Sequence, residues 1–284
     1  MEYQGQVSRQ ITGTNWLSGD NQEAHSQLRQ ATDKILYWLG TSAVHLFAHT
    51  LLDMDVLADA PLPAGPKIFA ANHPTTLDPF LLLTLAPEQM SILVTGGAFT
   101  IPLLGRYLRW IGHVPVVRGR GRESFTEALR LLDGGRSVGI FPEGALSPAI
   151  GDFQRPHSGV ARLALASGVP VIPVGIHPPE ERIWSIPAKI DGERAVGRFF
   201  AGGSYKVTIG RPLTFSGDVA DWAQVRGVTD QIMQQISRLS RQSAVRISPA
   251  TSSAPSPVLA TGLPSYPLGG FVDDLPGFPR AQLR

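Results

Sequence analysis

The sequence predicts an α/β fold, a largely parallel mixed sheet flanked by helices, on three observations. Short apolar runs alternate along the chain with segments of helical period. Runs such as KIFAAN (67–72) and VPVIPVGI (169–176) read as buried strands, the kind that sit in a sheet covered on both faces. Three polar residues, His73, Arg118 and Glu143, each fall just after a predicted strand, and sites in such sheets gather at the C-terminal strand ends.

The elements follow in order. Residues 33–53 predict a helix that contacts a membrane or packs on the domain, and PLPAGPK (61–67) is a turn. After KIFAAN, Asp-Pro at 78–79 signals a helix running to about Leu85. SILVT (91–95) is a strand, and PLLGRYLRWIG (102–112) an amphipathic helix stopped by Gly112. HVPVVR (113–118) is strand-like. RESFTEALRLLDGG (122–135) has apolar residues at helical spacing and a Gly-Gly stop. SVGIFPEG (137–144) is a strand entering a turn, HSGVARLALASG (157–168) a helix, and VPVIPVGI the next strand. Its two prolines each remove a ladder donor, which suggests an edge strand or a bulge. YKVTIG (205–210) is the last strand, and a helix from about Asp221 to Ser243 closes the domain.

With 284 residues, 43% hydrophobic and 17% charged, the chain can bury one large core. Residues 1–30 read as a polar N-terminal arm and 31–246 as the α/β domain. Residues 247–284 read as a disordered tail rich in Pro, Ser and Gly, since seven prolines follow position 248 and no apolar period survives. The first thirty residues lack the basic-then-apolar layout of a secretory signal. ILYWLGTSAVHLFAHTLL (35–52) is broken by polar residues and falls short of the roughly 20 apolar residues a spanning helix needs, but it suits a helix lying on a membrane surface.

The absence of cysteine excludes disulfides, thiolate metal sites and a cysteinyl-acyl intermediate. His45 and His49 have an i, i+4 spacing but no third ligand in register, so no metal site is expected. Net charge is only +2, yet residues 106–136 hold seven arginines against three acids. Such a patch suits phosphates or anionic head groups. No nucleic-acid motif accompanies it.

Three stretches carry candidate chemistry. FAANHPTTLDPFLLL (69–83) puts His73 and Asp78 on one strand-to-helix turn. An imidazole works as a base near neutrality when a carboxylate holds its other nitrogen. The same residues also fit a helix N-cap (Asp78) beside a core histidine, and the two readings are compatible. In GHVPVVRGRGR (112–122), Arg118 leaves a strand into a glycine-opened loop, where its fork would bind phosphate or simply face solvent. In FPEGALS (141–147), Glu143 sits in a restricted turn, suited to bind a polyol or to pair with an arginine such as Arg118. No G-x-S-x-G elbow is present, which disfavours an acyl-serine route.

In order, Asn72-His73-x4-Asp78, Gly112-x5-Arg118, Phe141-Pro142-Glu143-Gly144-x-x-Ser147 and Val169-Pro170-Val171-Ile172-Pro173 resemble the glycerolipid acyltransferases, the lysophosphatidate acyltransferases and their relatives. The resemblance covers roughly residues 35–214. It implies transfer of a fatty acyl group from an acyl thioester to a hydroxyl of a lysophospholipid or glycerol-phosphate acceptor. His73 would be the general base and Asp78 its orienting carboxylate. Arg118, Arg120, Glu143, Gly144 and Ser147 would form the acceptor site. The donor would be acyl-CoA or acyl carrier protein, with no metal or further cofactor. A cytoplasmic protein held peripherally at the inner membrane face is expected. One departure stands out: where the family continues FPEG with threonine and arginine, this chain has Ala145 and Leu146. Arg120, Arg122 or Arg155 would have to compensate, or the acceptor is not a phosphomonoester. A non-catalytic lipid or acyl-carrier binding protein and a hydrolase are the competing readings.

Overall fold

The computed structural model describes residues 16–246, apart from 179, 191 and 192. Five parallel strands form the middle and one flank of the sheet: β2 (Ile68–Ala71), β3 (Met90–Thr95), β4 (Val114–Val116), β5 (Ser137–Ile140) and β6 (Val171–His177). Two more, β1 (Met54–Ala58) and β9 (Tyr205–Ile209), pair parallel to each other, and β9 runs antiparallel to β6. The spatial order is β1-β9-β6-β2-β5-β3-β4. The strands β7 (Trp184–Ile190) and β8 (Glu193–Phe199) form a separate antiparallel hairpin.

Alternation along the strands divides the core in two. Ile68 and Ala70 face one side, where α4 (Gly121–Asp133), α5 (Gly159–Ser167) and α6 (Trp222–Ala244) pack. Phe69 and Ala71 face the other, covered by α1 (Trp16–Thr50) and α2 (Asp78–Leu82). Helices on both faces explain why the central strands are continuously apolar. At Gly175 of β6, an added Cβ would lie 2.1 Å from the backbone of Leu239 in α6, so only glycine admits that close approach. α6 is capped by Asp221, whose carboxylate accepts from the N–H groups of Ala223 and Gln224, as its sequence predicts.

Of the two prolines expected in this strand, Pro170 precedes β6 and Pro173 lies within it, and neither marks an edge. β6 lies inside the sheet, between β2 and β9. Val171 N–H goes to Leu213, and alternation points the nitrogen of Pro173 to that same side. There the register with β9 ends at Val174–Ile209, and Gly210 N–H still donates to Pro173 O (2.8 Å), so the proline removes only the one return bond to Gly210 at the end of the ladder.

The first helix starts at Trp16, well before the expected 33, and runs through the expected boundary at 31. Gln, Glu, Ala and Leu between 22 and 31 favour helix even where they offer no apolar face. The expected tail and residues 1–15 lie outside the described residues. Further along α1, Tyr37, Thr41 and Ala48 are buried, with Leu52 just beyond the helix. Ile35, Trp38, Leu39 (63% exposed) and Leu46 (66%) form a second apolar face turned outward. The short α3 (Leu104–Trp110) adds exposed Trp110, with Leu103 just before it and Arg106 set over the Trp110 ring. Among the described residues no helix is long and apolar enough to cross a membrane.

Candidate active site

β2 and β5 are parallel neighbours in register, Ala70 opposite Ile140. His73 and Glu143 each stand three residues beyond that pair, so the sheet alone brings the two loops side by side. Asn72 secures the exit from β2. Its amide donates to Ile176 O (2.9 Å) and accepts from Ile176 N–H (2.7 Å), which extends the bonding to β6 past the strand end.

The His73 ring is partly exposed, at 17%, and stacks on Phe141 at 4.3 Å between centroids. Its Nδ1 lies 3.0 Å from Asp78 Oδ2. Asp78 is fully buried and is the first residue of α2 rather than its cap. The carboxylate turns back toward the loop. Oδ2 accepts from Thr75 N–H (2.7 Å), and Oδ1 accepts from the hydroxyls of Thr75 (2.5 Å) and Tyr205 (2.6 Å). A carboxylate that is acceptor to every other neighbour leaves the donor role to Nδ1 of His73. The lone pair of this histidine is then on Nε2, which has no partner among the described residues. Burial and the adjacent Asp78 carboxylate push the Tyr205 hydroxyl well above its ordinary pKa, so it remains a donor.

Glu143 is 1% exposed, and its oxygens are taken up within the protein. Oε1 accepts from His73 N–H (3.2 Å) and the Ser147 hydroxyl (2.8 Å), and Oε2 from Gln154 N–H (2.7 Å). Burial raises its pKa, and those three donors oppose the shift. Gly144 closes the turn, its N–H bonded to Phe141 O at 3.0 Å. Its φ of +65° is one that a side chain disfavours.

His73, Asp78, Glu143, Gly144 and Ser147 therefore form one cluster. The arginines stand apart. Arg118 follows β4, two strands from β5 and three from β2, roughly 10–14 Å across the sheet at the usual strand spacing. It is exposed and makes no ion pair among the described residues, so the Arg118–Glu143 pair considered from sequence does not form. Arg120 is held in an exposed fork by Glu123.

Four contributors escaped the sequence reading. Phe141 and Thr75 lie inside the stretches quoted above, and a stacking ring at a strand end was a usable signal. Tyr205 and Arg198 reach the site from 127 and 120 residues beyond Asp78, and nothing local announces them. Arg198, on β8, is half-buried and donates to Ser147 O (2.5 Å) and Pro148 O (2.9 Å). Burial lowers its pKa, while the charges of Asp78, Glu143 and Glu180 favour the cation. Beside the cluster, an apolar groove of about 270 Å³ is lined by Ala43, Val44 and Phe47 of α1 and by Leu77, Phe80 and Leu81 around α2.

The family profile described as acyltransferase matches residues 54–177. The chain is 30% identical over 138 residues to the chloroplastic 1-acyl-sn-glycerol-3-phosphate acyltransferase BAT2 of Brassica napus, covering 47% of this chain and 39% of that protein. It is 27% identical over 128 residues to the 1-acyl-sn-glycerol-3-phosphate acyltransferase of Saccharomyces cerevisiae, covering 43% and 42%. The chain thus spans well under half the length of these relatives. The crystal structure of the 1-acyl-sn-glycerophosphate acyltransferase PlsC from Thermotoga maritima superposes with a TM-score of 0.55 at 20% identity, covering 79% of this chain and 84% of that one. At that identity the likeness speaks for the fold.

Proposed function

The chain belongs to the acyltransferase family, and from that premise we propose that it transfers a fatty acyl group from a thioester to a lysolipid hydroxyl. The observation that carries the reading is the 3.0 Å contact between His73 Nδ1 and Asp78 Oδ2, with Nε2 left open on a partly exposed ring. In the proposed step, Nε2 takes the acceptor's hydroxyl proton as the oxygen attacks the thioester carbonyl. The new C–O bond forms, the tetrahedral oxyanion collapses, and the C–S bond breaks. The imidazolium, stabilised by Asp78, then returns the proton to the departing thiolate. General-base help of this kind is worth typically 10²–10⁴ in rate.

The acyl chain is assigned to the apolar groove that shares α2 with Asp78. The donor is acyl-CoA or acyl carrier protein, and the acceptor is of the 1-acylglycerol-3-phosphate class. Arg118, exposed and without an ion pair among the described residues, is the residue proposed to meet the acceptor's anionic head group. The outward apolar face of α1, with Leu103, Trp110 and Arg106, supports peripheral contact with a lipid surface, where such acceptors reside.

The test is product analysis by mass spectrometry after incubation with acyl thioester and a panel of lysolipids, both phosphomonoesters and larger head groups. A diacyl product is expected. Free fatty acid alone would mean hydrolysis, and no turnover with any acceptor would reduce the protein to a binder. Within the panel, Arg118→Ala should raise the KM for an anionic acceptor about tenfold, as loss of a charge-assisted bond does.

A further inference from the structure

We propose that Arg198 is a positioning residue for His73, acting through Ser147, and that the β7–β8 hairpin is the strap that carries it. The inference rests on the acyl-transfer reading for its kinetic arm only.

The hairpin stands outside the main sheet, yet Arg198 reaches both site loops at once. Its main chain grips the loop after β2: Thr76 N–H donates to Arg198 O (2.7 Å), and Arg198 N–H donates to Thr76 Oγ1 (2.9 Å). Its guanidinium grips the loop after β5, through the consecutive carbonyls of Ser147 and Pro148. The Ser147 N–H in turn donates to His73 O at 2.8 Å, and its hydroxyl to Glu143, which also accepts from His73 N–H. Both main-chain polar groups of His73 are thus fixed from the loop that Arg198 holds down.

A salt bridge would explain a half-buried arginine more simply, but no carboxylate lies within ion-pair range of Arg198 among the described residues. Its named partners are neutral carbonyls. Two adjacent carbonyls suit a planar fork, whereas an ammonium is a point donor that holds them less rigidly. A misplacement of about 1 Å at a reacting group can cost on the order of 10² in rate. The tether therefore acts on the chemical step without touching either substrate.

The experiment compares Arg198→Met, Arg198→Lys and Arg198→Ala in the full chain. In Arg198→Met, kcat should fall about 10²-fold while both KM values stay within about threefold. Arg198→Lys should recover part of the loss, and added guanidinium ion should partly restore Arg198→Ala. A second readout does not require activity. The low-field proton NMR signal of the His73 Nδ1–H, assigned by its absence in His73→Ala, should broaden or vanish in Arg198→Met at a temperature where the variant is folded. An unchanged signal with unchanged kcat overturns the proposal. A raised acceptor KM with unchanged kcat overturns it in favour of direct acceptor binding. Losses that track unfolding in all three variants reduce Arg198 to a scaffold residue. If the wild type transfers no acyl group, the functional reading has failed, and the NMR comparison still decides the role of Arg198.

Discussion

His73 and His113 are the same side chain placed in opposite surroundings. At His73, Nδ1 faces a buried carboxylate, and the ring is 17% exposed. At His113, Nδ1 accepts from Ile92 N–H at 3.1 Å, and the residue is 6% exposed. The proton therefore sits on Nδ1 of the first ring and on Nε2 of the second. Burial, helped by the Arg136 charge, lowers the His113 pKa to about 3, so that ring stays neutral. Its lone pair is spent on a strand N–H. A histidine becomes available for chemistry when its inner nitrogen donates and its outer one is free.

The hardest way to break the comparison is to delete each ring. His73→Ala should reduce kcat by 10²–10⁴-fold and move Tm by only a few degrees. If acylation continues near the wild-type rate, His73 is not the base. His113→Ala should reverse the pattern: a loss of about 2–4 kcal/mol in denaturant unfolding, from the cavity and the orphaned Ile92 N–H, with kcat per folded molecule kept.

Tyr205→Phe sharpens the contrast at the carboxylate. It removes one of the hydroxyl donors to Asp78 and leaves the ring packing intact. A kcat about tenfold lower is expected with both KM values unchanged, and stability should drop by about 1.5–3 kcal/mol, as for a bond to a charged group. A kcat equal to wild type would make Tyr205 a packing residue only.

The comparison can also be drawn out by pH. The His113 pKa is lower folded than unfolded, so below about 6.5 the unfolded chain takes up a proton that the native state refuses. Stability from this residue is full above that range and is lost progressively as pH falls toward 3, by at most about 1.4 kcal/mol per pH unit. His113→Asn keeps an acceptor for Ile92 N–H and should show a flatter stability profile between pH 6.5 and 4 in thermal melts. An equally steep profile would assign the acid sensitivity to other groups, such as His177, whose pKa burial also lowers.

The two histidines also mark how far the chain was readable. HVPVVR reads as a strand, and β4 does begin at Val114, but nothing there distinguishes a core imidazole from a reactive one. Around His73 the apolar run, the Asp-Pro helix start and the x4 spacing are all local, so the pair was visible. β1, β7 and β8 went unread. MDVLA is exposed at most positions and lacks a buried pattern, while the hairpin packs outside the sheet, where no continuous apolar run is needed. Asp191-Gly192, a turn-prone dipeptide between the two, was the signal available. The prolines of VPVIPVGI pointed toward an edge because where a sheet tolerates a missing donor depends on the length of the neighbouring strand, not on the strand itself.

Sequence alone determined the alternation of buried strands and helices, and with it an α/β sheet. It also determined the local pairing of His73 with Asp78, because five residues on one turn suffice to join them. Tertiary structure decided the rest. It buried Glu143 as a brace, held Arg118 apart at the far flank, and brought Tyr205 and Arg198 to the loops from more than a hundred residues away. The physical reason is range: side-chain period and turn chemistry act over a few residues, whereas a carboxylate's full set of donors is chosen by which strands become neighbours.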